Sequence, residues 1–139
     1  MSEQVNKKDL VATRPAVPAD LPFIFSTFLK GLRHGNAWFG LIDSDAYFKH
    51  YHDALEHILA SPKTEVKVSC LRDDQEVILG YALSSPTHYH WVFVKKAWRG
   101  IGIGRDLMQT TATTVTHLTD VGRSLMKKRP GIKFNPFID

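Results

Sequence analysis

Three glycines in five positions, in "WRGIGIGRDLM" at residues 98–108, set the strongest constraint on this chain of 139 residues. The apolar run "THYHWVFV" ends at Val94, and a stretch with helical apolar spacing begins near Gly104. A strand therefore has to turn through bare backbone into a helix. Glycine tolerates positive φ and lets a ligand approach the main chain without a Cβ in the way. The first turn of a helix adds unpaired N–H groups and the positive end of the helix dipole. Strand, glycine turn and helix start together make a cradle for an anion such as phosphate. Arg99, Arg105, Lys95 and Lys96 surround it with positive charge.

The charge of the whole chain is skewed the same way. Residues 1–87 carry 9 Lys/Arg against 11 Asp/Glu, and residues 88–139 carry 9 against 3. An anionic ligand on the glycine side accounts for this, and so does a merely solvated basic surface. The length fits one domain with a real core, and 43% hydrophobic and 23% charged residues are ordinary for a soluble globular protein. No apolar run is long enough to span a bilayer. The polar start "MSEQVNKKDL" predicts no secretory signal, and the single cysteine, Cys70, excludes an internal disulfide. The expectation is a cytoplasmic setting, a loose tail over residues 1–9 and a single domain over 10–139.

Along the chain, Leu10 to Ala16 reads as a short strand ended by Pro15. A helix follows, with Asp20 as N-cap, Pro22 in the first turn, Ile24, Phe25, Phe28 and Leu32 at helical spacing, and Gly35 as its stop. "NAWFGLIDSD" reads as a loop. A second helix runs from Ser44 to Leu59 with Phe48, Tyr51, Leu55, Ile58 and Leu59 as its apolar set. "EVKVSCL", "EVILGYAL" and "THYHWVFV" are strands joined by short turns, hence an antiparallel meander. A helix over residues 104–118 is read from Leu107, Met108, Thr111, Ala112, Val115 and Leu118, although its threonines have poor helix propensity. "GRSLMKKRPG" reads as a short helix and "IKFNPFI" as a weak final strand. The fold class is α/β: a mostly antiparallel central sheet with helices on both faces.

Two phosphate motifs fail the spacing test. A P-loop needs a Gly-Lys-Ser/Thr ending, which is missing. The dinucleotide fingerprint needs G-x-G-x-x-G, and Gly100, Gly102 and Gly104 are spaced G-x-G-x-G. Arg-x-x-Gly-x-Gly, as Arg99, Gly102 and Gly104, resembles the pyrophosphate signature of the GCN5-related N-acetyltransferase (GNAT) family. Val94, "KKAW" and "RGIGIGRDLM" follow the family's strand-to-helix spacing, and "TRPAVPADLPFI" is similar to its first strand and helix. The resemblance extends from Leu10 to Leu118.

The resemblance implies that acetyl-CoA is the cosubstrate, bound where the fourth and fifth strands part. By position, Val92, Phe93 and Val94 would hold the pantetheine arm, with the Val92 N–H polarising the acyl carbonyl. Arg99, Gly100, Ile101, Gly102, Ile103, Gly104 and Arg105 would hold the pyrophosphate. The activity implied is direct acetyl transfer to an amine of a small molecule or protein. Some members carry a glutamate base six residues before the strand-ending valine, and that position here is His88. Alternation puts His88, His90, Val92 and Val94 on one strand face, so His88 and His90 are the candidate catalytic pair. The acceptor would lie near the segment "HGNAWFGLIDSD", with His34, Asn36, Trp38, Phe39 and Asp43 as candidate contacts. No metal is expected, because His88 and His90 have no acidic or cysteine neighbour in sequence.

The chain departs from the family after Leu118. It shows no obvious fifth strand there, and its four tyrosines, Tyr47, Tyr51, Tyr81 and Tyr89, all precede that point, whereas members use a late tyrosine to protonate the thiolate. A coenzyme A-binding module with little or no activity is therefore an alternative. A nucleic-acid-associated protein, suggested by "KKRPGIK", is a less favoured one, since its basic residues are not interleaved with aromatics. A monomer or homodimer without membrane contact is expected.

Overall fold

The computed structural model describes residues 6–108, 112–117 and 131–136. Six strands form one sheet in the order β1-β2-β3-β4-β5-β6. β1 (Val11–Pro15), β2 (Glu65–Leu71), β3 (Asp74–Ser84) and β4 (His88–Val94) run antiparallel to their neighbours. β5 (Thr114–Val115) and β6 (Lys133–Phe134) continue it in parallel. Helices α1 (Leu21–His34) and α3 (Ser44–Ala60) supply residues to the core on one face. The short helix α4 (Ile103–Leu107) packs on the other. The α/β architecture with helices on both faces follows the sequence pattern.

Why α1 forms is plain from its buried stripe. Ile24, Phe28, Leu29 and Leu32 are buried and meet Val68, Tyr81 and Leu83 of the sheet. Each such side chain contributes about 1.5–3 kcal/mol by leaving water. Asp20 precedes α1 as expected, but its carboxylate makes no cap bond. It accepts from Arg14 at 2.7 and 2.9 Å and from the Val17 N–H at 2.8 Å, tying β1 to the helix entry. These bonds, with the Arg14 guanidinium first, hold the Asp20 carboxyl below its ordinary value despite burial.

Four elements differ from expectation. The stretch read as a helix over 104–118 is helical only through Leu107 within the described residues, and Thr114–Val115 is a strand. β-Branched side chains crowd a helix and suit a pleated surface, so composition outweighed spacing here. A fifth strand therefore exists. On α3, Tyr47 is buried and Phe48 is exposed, the reverse of the reading. Tyr47 can go inside because its hydroxyl donates to the Leu29 carbonyl. The segment read as a loop holds a short helix, α2 (Ala37–Gly40), capped by the Asn36 side chain. Finally, Lys7–Leu10 is a 3-10 turn rather than loose tail. The short helix read in "GRSLMKKRPG", including Lys127, Lys128 and Arg129, lies outside the described residues up to Pro130.

Candidate functional site

β4 ends at Val94, and a 3-10 turn over Lys96–Trp98 leads into the glycines. Gly100 and Gly102 have φ of 87° and 90°, a left-handed conformation that disfavours side chains. Ile103 and Leu107 are buried against Leu79 and Ala82, so α4 is pinned to the sheet by its own apolar side. The Asp106 N–H bonds the Gly102 carbonyl, the first intrahelical bond of α4. The N–H groups of Ile103, Gly104 and Arg105 thus precede the first intrahelical acceptor of α4.

Cations gather there from two ends of the chain. Arg99 Nε donates to the Val94 carbonyl at 2.9 Å, and Arg105 lies over Gly102, 3.1 Å from where a Cβ would stand. Lys8 Nζ is 3.7 Å from that same point and 3.6 Å from Asp106. Lys7 donates to the Ala97 carbonyl at 2.8 Å and lies over the Trp98 ring. Sequence reading missed Lys7 and Lys8 because they are about ninety residues from the turn they serve, a distance that leaves no local signal.

Among the described residues, no strand pairs with the outer edge of β4 beside this turn. Lys95 N donates to Leu79 O, and the register then runs one-to-one from Gly80 with Val94 to Leu83 with Trp91. In an antiparallel ladder every second residue faces its partner, so Phe93 turns its N–H and C=O to Tyr81. Val92 and Val94 turn theirs outward. Among the described residues β5 covers that edge only farther back, pairing with His88 and Tyr89, with Thr116 N donating to Tyr89 O. The sheet parts there, leaving outward N–H groups at Val92 and Val94.

A β-bulge between the Leu83 and Ser84 partners puts His90 in excess on β4. An extra residue re-aims the side chains that precede it. Val92 and Val94 pack with the α4 cluster, whereas Trp91 and Phe93 pack with the α1 cluster. Tyr89 reaches the Met108 carbonyl at the end of α4. His88 and His90 line a cavity of about 270 Å³ with His57, Ile58 and Ser61 at the end of α3, and with Lys63. The single shared face expected for His88, His90, Val92 and Val94 is therefore incorrect: the histidines face α3 and the valines face α4.

The two histidines remain together, their rings parallel within 6° and 6.1 Å apart. His88 Nδ1 meets Thr87 Oγ1 at 2.7 Å. His90 is buried, and its Nδ1 meets Thr116 Oγ1 at 2.9 Å. Burial, and secondarily His88, pushes the His90 pKa down to about 4. His117, also pushed down to about 4 by burial, stands on the far side of Thr116. His34, Trp38 and Phe39 do not line this cavity. Phe39 packs edge-on against Tyr47 and Tyr51, and Trp38 is 60% exposed. On the exposed side of α3, His52, Asp53 and Glu56 bring ligand-type atoms within 4.8 Å of one another, and they too stand outside the cavity.

Comparison with known proteins places these features. A family model described as "Acetyltransferase (GNAT) domain" matches residues 36–126, more than half of the chain. A predicted acetyltransferase of Clostridium acetobutylicum, solved with acetyl-CoA, superposes with a TM-score of 0.61 at 14% identity, covering 93% of this chain and 94% of its own. A Pyrococcus furiosus protein proposed to be an acetyl transferase gives 0.54 at 14% identity, covering 90% and 80%. YycN of Bacillus subtilis, also proposed to be an acetyltransferase, gives 0.54 at 12% identity, covering 90% and 79%. At such identities these structures speak for the fold alone. A search of curated proteins returns no significant match.

Proposed function

The chain belongs to the GNAT acetyltransferase family, and on that premise we propose that it moves the acetyl group of acetyl-CoA directly to an amine held beside His88 and His90. The observation that carries this reading is the open outer edge of β4, where Val92 and Val94 face outward just before the glycine turn. A pantetheine arm needs main-chain partners of this kind, and a pyrophosphate needs the turn that follows.

In this reading the Val92 N–H polarises the thioester carbonyl and stabilises its oxygen as negative charge builds. The outward N–H of Val94 holds the pantetheine, its carbonyl being taken by Arg99. Phe93 contributes its side chain, its main chain being committed to β3. The backbone from Arg99 through Gly100, Ile101, Gly102, Ile103 and Gly104 to Arg105 holds the pyrophosphate, with the two arginines supplying charge. An amine is an ammonium ion near neutral pH and has no lone pair to attack with. His88, open to the cavity, takes the first proton. The nitrogen then bonds the carbonyl carbon, the carbon–sulfur bond breaks, and the thiolate leaves. The nitrogen loses a second proton, which neutralises the thiolate. His90 is neutral in this range and acts as a hydrogen-bond partner rather than as the base.

Among the described residues, the cavity lining carries Lys63 and three histidines and no carboxylate. That supports a small amine with a single positive charge over a polycation. The aromatic segment with His34, Trp38 and Phe39 is the second candidate for acceptor contacts.

Calorimetric titration with acetyl-CoA, followed by thiol release across an amine panel, tests the proposal. Saturable binding with amine-dependent release is expected, and no binding at high ligand overturns it. Binding with release at background for every amine makes the chain a coenzyme A-binding module. One observation favours that second reading: Tyr89, the tyrosine of β4, already gives its hydroxyl to the Met108 carbonyl at 2.6 Å.

A further inference from the structure

The strand that replaces the expected helix brings two residues to the bulge that the sequence does not single out. Thr116 is 2% exposed, and its hydroxyl faces three groups. His117 Nδ1 is at 2.8 Å, His90 Nδ1 at 2.9 Å and the Tyr89 carbonyl at 3.4 Å. A hydroxyl has one proton to give, and a carbonyl can only accept. His117 lies edge-on to Phe28 and Tyr51. The hydroxyl proton therefore goes to the Tyr89 carbonyl, and the lone pairs of the oxygen face the two rings.

We propose that Thr116 and His117 are a positioning pair that fixes His90 in the tautomer with the proton on Nδ1. The Thr116 hydroxyl donates to the Tyr89 carbonyl, so its oxygen accepts from His90 Nδ1 and from His117 Nδ1, and the lone pair of His90 is on Nε2. This arrangement satisfies all three contacts with the protons available. The opposite tautomer of His90 would set a lone pair against the Thr116 oxygen and leave a buried contact unmade.

The consequence rests on the acetyl-transfer reading. A His90 ring with a lone pair on Nε2 accepts from the N–H of an incoming amine and leaves the amine's own lone pair free to attack. A ring with the proton on Nε2 would donate to that lone pair and block it. Tautomer control of this kind is strong elsewhere: holding a histidine base in the wrong tautomer lowers turnover about 10⁴-fold.

The test reads the tautomer on the protein alone, without acetyl-CoA or amine. Nitrogen-15 NMR of histidine-labelled protein near neutral pH should show Nδ1 of His90 protonated and Nε2 bare. Thr116→Ser should keep that pattern and Thr116→Val should lose it. Thr116→Val should also lower kcat about tenfold or more at unchanged acetyl-CoA affinity and unchanged KM for the amine, with Thr116→Ser restoring the rate. A proton on His90 Nε2 in the unaltered protein overturns the proposal. So does a Thr116→Val protein with the tautomer altered and kcat intact. If Thr116→Val fails to fold, the unaltered and Thr116→Ser spectra still decide. A correct tautomer in a protein that does not bind acetyl-CoA removes the functional reading and leaves the pairing itself standing.

Discussion

Replacing Gly102 and Gly104 by alanine, one at a time, should have opposite consequences, because the added carbon points in opposite directions. At Gly104 the backbone is not left-handed, and a Cβ would meet only Val94 Cγ2 at 3.6 Å, an ordinary contact on the protein side. Alanine in a helix is more stable than glycine by about 0.5–1 kcal/mol. Gly104→Ala should therefore raise Tm by about 2–4 °C for a chain of this size and leave acetyl-CoA affinity within about twofold. At Gly102, φ is 90° and a Cβ would stand 3.1 Å from Arg105 Nη2 and 3.7 Å from Lys8 Nζ. The left-handed conformation costs an alanine about 1–2 kcal/mol, or roughly 3–8 °C in Tm. The carbon also occupies the cationic side, where a pyrophosphate has to approach the backbone, so affinity should fall at least about tenfold, or 1.4 kcal/mol. Gly100→Ala supplies the control: φ is 87°, with nothing within 4 Å of its Cβ. It should share the loss in Tm and lose less affinity. Thermal melts and calorimetric titration with acetyl-CoA read both quantities. Wild-type affinity in Gly102→Ala, or equal losses in Gly100→Ala and Gly102→Ala, would refute the assignment of that side of the turn to the ligand.

Lys8→Glu should weaken acetyl-CoA binding several-fold at low salt and less at high salt, since exposed charges are screened. It should change stability by less than about 1 kcal/mol, because the Lys8–Asp106 pair is half-exposed on both sides. His88→Ala should lower turnover about 100-fold and flatten the pH profile without changing acetyl-CoA affinity, as stopped-time thiol assays and calorimetry would show. Asp20→Asn leaves the part-buried Arg14 with half a partner, and chemical denaturation should show a loss of about 1–3 kcal/mol. The Asp20 carboxyl has a lowered pKa in the folded state, so its contribution is complete above the unfolded value near 3.8 and is lost as pH falls through the folded value. The Asn variant should lack that acid-side loss.

What could be read from the sequence follows how local each signal is. Alternation in "EVKVSCL", the apolar run "EVILGYAL" after its turn and the helical stripe of Ile24, Phe28 and Leu32 are set within one element, and those elements stand where the patterns put them. β5 escaped because two conflicting local signals met. Leu107, Ala112 and Val115 keep helical spacing, while the threonines between them prefer a strand. The parallel pairing that decides between them comes from His88 and Tyr89, some 26 residues away. Tyr47 and Phe48 were exchanged because apolarity alone favours phenylalanine inside. The buried carbonyl of Leu29, which rewards a hydroxyl there, belongs to another helix. Lys7 and Lys8 had no reading beyond a polar tail, since their partners Ala97, Trp98 and Asp106 are contributed by the turn.

The bulge at His90 matters most, and it left no trace in the residue pattern. In a regular strand His88 and His90 would lie with Val92 and Val94 beneath α4, on the side where the acetyl-transfer reading puts the cofactor's phosphates. A base there would face the donor, with the sheet between it and any acceptor in the α3-side cavity. One extra residue turns both imidazoles to α3 and keeps the outward N–H of Val92 at the gap between β4 and β5. On the acetyl-transfer reading, the gap is where a thioester entering from the α4 side and an amine held on the α3 side would meet. On that reading, the bulge and the short β5 act together: β5 stops early enough to leave the gap, and it is followed by Thr116, whose hydroxyl holds the displaced His90 in position. Deleting His90, the extra residue, should leave His88 on the α3 side but remove the Thr116 contact, lowering turnover in thiol-release assays while calorimetry still shows acetyl-CoA binding.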